Sequence, residues 1–536
     1  MTGPAPHVYP KNKWQIAMAV TIGTLMGTID TSIINVAMPH LRGTLSATVE
    51  EITWVSTGYV VASVIVMPLT AWLGSRFGRK RIYMAGLALF LLGSLLCGMA
   101  RSLWPLVFFR ILQGLGAGAL QPTEQAILRE TFPLEEQGRA MALYGFAIML
   151  GPAIGPTLGG WIVDNYSWPW IFFINVPVGI AGLFWVWRVV EDPPYLERSK
   201  GRVDWWGLGL LVVGLAALQT LLEQGERDGW FESRANVAYA MIATAAVVMF
   251  IVQELTAREP VVDLRVLRER TFATGTVIGA VLGAVLFSSV FLLPIYMQEL
   301  LRFDAMQSGL ALLPRSIAML ITIPIVGQIY NRTSPRLVVI FGLVLGALSC
   351  FQMSRFTLQT STAQILLPQV IQGVGLACIF IPLQTVALAN VERRQMSAAT
   401  GVSNLIRQLG GSFGVAIFAS LLGRFTKRAQ SLIAEHVSAT DPNVLARLAA
   451  IKQMLVARGV DGGAAEAQAF KITGMQVAGQ AAMISFERTF FILGLLFFAS
   501  IPLVFLLDEG KVREARRAAQ AGKKQSDHGD HLAVEI

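Results

Sequence analysis

The chain has 536 residues, 54% of them hydrophobic and 14% charged, with a net charge of +9. Soluble chains carry about 25% charged residues, so no water-soluble core accounts for this composition, and one membrane anchor would not shift the average of a chain this long. If about 21 residues make one span, fourteen spans use about 294 residues, a little over half the chain. The composition therefore points to an all-α polytopic membrane protein, not to a barrel of short alternating strands.

The first apolar block, 14–38, follows a polar start and carries no small-residue cleavage site. It reads as a retained span, not a signal peptide. Five more blocks fall near 51–73, 82–100, 104–128, 139–163 and 168–189. A pair follows at 205–222 and 236–254, and then 271–298, 308–329, 336–353, 363–390, 399–422 and 486–507. This gives a cytoplasmic N-terminus (1–13), a six-helix bundle (14–190), two inserted transmembrane helices (204–256), a second six-helix bundle (270–507) and a cytoplasmic tail (508–536).

An even count puts both termini on one side. With that side as the cytoplasm, its segments hold about 25 Lys and Arg, and the short outer loops about 6. The basic balance is thus mostly topology and calls for no nucleic acid. Cys97, Cys350 and Cys378 lie inside apolar blocks without metal-ligand spacing, so they form neither a disulfide framework nor a zinc site.

The outer segment 423–485 is a polar insert of about 63 residues, too long for an ordinary connection. Asp441-Pro442 has the form of an N-cap followed by proline at the first helical position. Val444, Leu445, Leu448, Ile451 and Leu455 then repeat at helical spacing, with Gly459 as a stop. This predicts an amphipathic outer helix that packs on its neighbour, lies on lipid or docks a partner protein.

The chain is also duplicated. ILQGLGAG at 111–118 recurs as VIQGVGLA at 370–377, and residues 67–81 recur more faintly at 323–337. The offsets are about 259 and 256 residues, as two homologous halves require. Two bundles rocking about a site between them is the architecture of alternating access.

Five motifs in order resemble one family. They are Asp30-Thr-Ser-Ile-Ile-Asn35-Val-Ala-Met-Pro39 in span one and Gly74-Ser75-Arg76-Phe77-Gly78-Arg79-Lys80 after span two. Arg110-Ile-Leu-Gln113-Gly114 follows in span four. Gly151-Pro152-Ala-Ile-Gly155-Pro156-Thr-Leu-Gly159-Gly160 lies in span five, and Trp170-Ile-Phe-Phe-Ile-Asn175 in span six. Together they resemble the major facilitator superfamily, in particular its fourteen-span drug:proton antiporters of the EmrB/QacA type. The likeness runs over roughly residues 14–507. It implies the major facilitator fold, no cofactor, a proton gradient as the energy source, and a bacterial inner membrane. It also implies a periplasmic membrane-fusion (EmrA-like) adaptor and an outer-membrane channel as partners. Ser75 stands where the family's loop motif has an acid, which puts the charged latch of that loop in doubt.

Asp30 lies about halfway through its span, where an ionised carboxylate costs about 2.5–3.5 kcal/mol. It reads either as a proton-coupling site or as a hydrogen-bonded structural carboxyl. Arg110 reads as a relay partner or a static hub. Glu124 lies toward the cytoplasmic end of its span and reads as a snorkelling or loop-proximal carboxylate, or as a transport acid beside Asp30 and Arg110 that recognises cationic drugs. Asn35, Gln113, Gln372, Gln384 and Arg407 are the polar candidates for lining a substrate cavity, although Arg407 reads first as a structural bond to a backbone carbonyl and second as a partner for an anionic substrate. Gly145, Gly151, Gly155 and Gly159 share one helical stripe, where small residues let helices approach closely. With Pro152, Pro156 and Gly160 they would pack or seal the two halves.

The best-supported function is proton-coupled efflux of amphipathic toxic compounds. The alternatives are export of one dedicated metabolite, siderophore or lipid, and proton-coupled import on the same fold. No Walker-type loop is present to use ATP. No nucleophile–base pair or metal cluster lies near a span, which argues against an enzyme.

Overall fold

A computed structural model describes residues 10–133, 136–192, 204–257, 260–329, 333–388, 391–392, 395–436, 441–507 and 510. Within a bilayer each backbone polar group needs a partner inside its own segment, so the apolar blocks fold as helices. In chain order these are α1 (Lys13–Thr44), α2 (Trp54–Phe77), α3 (Arg79–Met99), α4 (Leu103–Thr131), α5 (Gln137–Asn165) and α6 (Trp170–Val189). Then come α7 (Trp205–Gln224), α8 (Arg234–Thr256), α9 (Arg270–Ile295), α10 (Ala305–Ile329), α11 (Pro335–Met353) and α12 (Thr362–Ala387). The last two are α13 (Met396–His436) and α14 (Gly462–Ala499). Thirteen of the described helices are long and apolar enough to cross a membrane. The 29-residue α5, packed lengthwise on α1, brings the layout to the expected fourteen.

Local chemistry sets many of the ends. Asp204 caps α7 through the Gly207 N–H, and Ser361 with Gln364 forms a capping box at α12. Between α2 and α3 the chain turns at Gly78, whose φ of 94° is open to glycine and whose missing Cβ leaves room for the Asp192 carboxylate.

Helices α1–α6 pack mainly on one another, and so do α9–α14. The first bundle is filled around Tyr83, Phe90 and Tyr144, the second around Tyr296, Phe486 and Phe490, with Tyr296 stacked on Phe356. The bundles meet where α5 runs along α10 and α2 along α13. The inserted pair does not stand apart: α7 lies against α2 and α13, and an apolar cluster joins Val64, Leu211, Phe250 and Val402 across that seam. Gln219 Nε2 donates to Ser412 Oγ at 2.7 Å, tying α7 to the second bundle.

The polar insert is less a loop than a continuation of helices. α13 runs for 41 residues and α14 for 38, about 60 Å at 1.5 Å per residue, roughly twice the hydrocarbon thickness. Between them lies the expected outer helix, Pro442–Ala457, capped by Asp441 and stopped before Gly459 at φ 89°. Val444, Leu448, Ile451 and Leu455 are half-buried on the side toward α14, while Leu445 faces outward. Arg447 donates to Gln476 at 3.2 Å, and Lys452 pairs with Glu466 at 2.5 Å, fastening the helix to α14.

Candidate functional site

Asp30 and Arg110 meet in the first bundle. Arg110 Nη1 donates to Asp30 Oδ2 at 2.5 Å and to Gln113 Oε1 at 2.8 Å, while its Nε donates to the Val55 carbonyl at 3.1 Å. The other Asp30 oxygen accepts from Gln113 Nε2 at 2.9 Å and from Asn175 Nδ2 at 3.2 Å. The pair is buried, with Asp30 3% exposed and Arg110 fully enclosed. Arg110 and Gln113, one turn apart on α4, present their polar ends together to α1. The Tyr59 ring covers the guanidinium, with the cation 4.2 Å from the ring centre. Asn175 also donates to Ser94 Oγ at 3.1 Å, so four helices hold this carboxylate. Asn175 stands in the span-six motif, but that motif alone assigned it no part in this network.

Glu124 departs from its expected place. It is fully buried and is not among the residues that line the central cavity. It is enclosed against α1, where Thr21 donates to one oxygen at 2.9 Å and Thr24 to the other. Thr21 and Thr24 are three residues apart and so share one face of α1, which makes the cradle.

A cavity of about 230 Å³ lies between the bundles. The first bundle contributes hydroxyl and aromatic groups, Thr24, Thr28, Thr31 and Tyr59 among them, and the second contributes Phe287, Arg315 and Arg407. Of the candidate lining residues, Arg407 is in the wall. Gln113 is taken up beside Asp30. Gln372 accepts from Ser289 Oγ at 3.0 Å, and Gln384 lies toward the terminal end, where its carbonyl accepts from Arg129. None of these three lines the cavity; the side chains of Gln113 and Gln372 are held in helix contacts. The side chains of Asn35 and Pro152 lie outside the described part of the molecule.

The span-five glycines bring α5 against its neighbours. A Cβ on Gly151 would stand 2.4 Å from Thr28 Oγ1, and one on Gly155 2.5 Å from Ser32 Cβ. Gly159 faces Ile33, also on α1, whereas Gly145 faces Phe380 of the second bundle and Pro156 faces Gly309 of α10. Gly145 therefore does not share the expected stripe: six residues from Gly151, it lies about 120° away around the helix, so Gly151, Gly155 and Gly159 meet α1 while Gly145 and Pro156 meet the second bundle. Gly160 is looser, 3.9 Å from Val36.

The loop motif closes inside the first bundle. Arg79 pairs with Glu130, and Lys80 donates through its backbone N–H to Asp192 at 2.9 Å and through Nζ to the Trp187 carbonyl at 2.7 Å. Arg76 lies over the Trp72 ring, Ser75 bonds the Trp72 carbonyl, and a Cβ on Gly74 would meet Arg79 only in ordinary contact at 3.5 Å. The acids that hold this loop are thus Glu130 and Asp192. At the same end the halves are joined instead by Arg129 to the Gln384 carbonyl, by Gln125 to Asn404 at 3.2 Å, and by Tyr144 stacked on Phe380.

Two packed bundles with a cavity at their seam and a buried ion pair behind its wall define a membrane transporter of duplicated design. The model of the Major Facilitator Superfamily matches residues 20–415, and the chain belongs to that family. It is EmrB-like. The Multidrug export protein EmrB of Escherichia coli K12 is 32% identical over 497 residues, 91% of this chain and 95% of that protein. EmrB of Haemophilus influenzae is 33% identical over 428 residues, 80% and 84% of the two chains. The Fatty acid resistance protein FarB of Neisseria gonorrhoeae is 32% identical over 493 residues, 92% and 95%. The crystal structure of the human organic anion transporter MFSD10 has the same fold, with a TM-score of 0.62 at 13% identity, over 92% of this chain and 100% of that one.

Proposed function

We propose that the protein exports amphipathic toxic compounds across a bacterial inner membrane in exchange for protons, with both termini in the cytoplasm. The similarity to exporters named for multidrug and fatty acid resistance supports the direction and class of transport. The observation that carries the coupling is the shared Tyr59: its ring covers Arg110 and also lines the cavity. A proton on Asp30 would remove the charge that holds Arg110, leaving the guanidinium to rearrange against Tyr59. Substrate in the cavity and proton on the carboxylate thus both act on Tyr59. Glu124, held only by hydroxyls, is a second proton carrier, and Thr24 links it to the cavity wall. The chain's own residues supply these steps, with no cofactor.

The cavity, at about 230 Å³, is smaller than the ~300–1,000 Å³ of drug-sized pockets. The transport cycle therefore includes a wider state, reached when the contacts of Arg129 and Gln125 across the seam break. A dye panel in everted membrane vesicles tests the reading. Accumulation should require an acidic lumen and collapse when the pH gradient is removed; accumulation indifferent to the gradient would overturn proton coupling.

The outer three-helix arm extends past the bundle and suits a periplasmic adaptor leading to an outer-membrane channel. Deleting residues 430–480 should abolish pull-down of such an adaptor while leaving the bundle in the membrane. Undiminished capture would remove the arm from that role.

A further inference from the structure

The charge of the cavity wall is one-sided. Arg315 of α10 and Arg407 of α13 both line it, and no acidic side chain does among the described residues. Neither arginine has a carboxylate partner there. Arg315 has two polar contacts, to Ser289 Oγ and Gln372 Oε1, both at 3.5 Å, the outer limit of a hydrogen bond. Arg407 donates to Asn404 Oδ1 at 2.5 Å and more weakly to Gln121 Oε1 at 3.4 Å, and its buried Nε has no partner. Both side chains are more than nine-tenths buried. The nearby acids are engaged elsewhere: Asp30 with Arg110, Gln113 and Asn175, and Glu124 with the two threonines. The same wall carries the apolar side chains of Leu286, Phe287 and Val290.

A buried cation without a counter-ion is costly, and the cost falls when an anion arrives with it. Guanidinium groups match carboxylate geometry through paired N–H donors. We infer that the central cavity selects amphipathic anions, compounds with one carboxylate or similar acidic group on an apolar or aryl body. Their charge is held between Arg315 and Arg407, and the body lies against Phe287 and the α9 wall. This rests on the export reading and narrows its substrate class. It also turns around the expectation that an acid would recognise cationic drugs, since the acid considered for that, Glu124, is walled off behind Thr24.

The test uses the full chain in lipid nanodiscs and three probes on one ring: 1-naphthoate, 1-naphthylmethylammonium and 1-naphthalenemethanol. Calorimetric binding, corrected with empty nanodiscs, should favour the carboxylate at least tenfold over both others. Arg315→Gln and Arg407→Gln should each weaken the carboxylate tenfold or more without changing the alcohol. Arg315→Lys and Arg407→Lys, which keep the charge, should lose less. Equal or tighter binding of the ammonium probe overturns the anion site, and so does carboxylate affinity unchanged in both Gln variants. Proteoliposome flux separates this from the export reading. Carboxylate-selective binding without gradient-driven flux upholds the anion site and sinks export, whereas gradient-driven ammonium flux without carboxylate preference sinks the anion site and leaves export standing.

Discussion

The two bundles carry corresponding polar centres that have been built to opposite ends. With an offset of about 259 residues, Gln372 stands at Gln113's place, Gln369 near Arg110's and Ser289 at Asp30's. In the first bundle a carboxylate, a guanidinium and two amides close on themselves behind Tyr59. In the second a serine hydroxyl stands at the carboxylate's place. The α12 position matching Arg110 holds Gln369, and the cation is Arg315 on α10, which reaches the cavity. A duplicated scaffold can thus keep one half as a self-neutralised ion pair. The other half presents uncompensated charge to a ligand. What differs is where the counter-ion sits: in the protein for Arg110, outside it for Arg315.

The largest test of this contrast is stability. Removing one partner of a buried pair costs about 3–5 kcal/mol, whereas a neutral hydrogen bond is worth about 1 kcal/mol. Arg110→Ala should therefore destabilise the detergent-solubilised protein severely in denaturant or heat, and Ser289→Ala only mildly. Similar losses at both positions would erase the distinction between the halves. Asp30→Asn comes next: it keeps hydrogen-bonding capacity but cannot exchange a proton. Membrane levels should stay close to normal while gradient-driven flux falls to background, and flux retained near the original rate would move coupling away from Asp30.

Smaller effects follow from packing and from charge transfer between the halves. Gly155→Leu pushes bulk into Ser32, and overpacking of this kind costs about 1–3 kcal/mol. It should part α5 from α1 and stop transport; normal flux in correctly inserted protein would show that the stripe tolerates bulk. Ser289→Asp has the smallest expected effect on binding. It gives the second bundle the carboxylate it lacks, so Arg315 gains an internal partner. Naphthoate affinity should fall several-fold with the alcohol unchanged. An unaltered carboxylate affinity would mean that Arg315 does not contribute its charge to the cavity.

Much of the fold was legible because the bilayer imposes a simple rule. Asp441-Pro442 and Gly459 marked the outer helix because caps and stops are local chemistry. The same logic missed its surroundings. Residues 423–485 read as a polar connection, yet α13 and α14 continue through most of them, since polar side chains outside the membrane do not end a helix. The site was legible in its residue types. Asp30 and Arg110 were expected from the cost of charge inside a span. Asn175 and Tyr59 were not, because an amide and a phenol carry no such cost and acquire a role only from what packs on them.

Length, hydropathy and the repeated motif by themselves determined a fourteen-helix duplicated membrane protein, because spanning a bilayer demands apolar helices of set length and duplication leaves its periodicity in the chain. The tertiary structure alone decided which charges face each other. It joined Asp30 to Arg110 across 80 residues, enclosed Glu124 behind two threonines, took Gln113 and Gln372 into helix contacts and left Arg315 and Arg407 on the cavity wall. Electrostatics depends on distance in space and on solvent exclusion, and neither is set by separation along the chain.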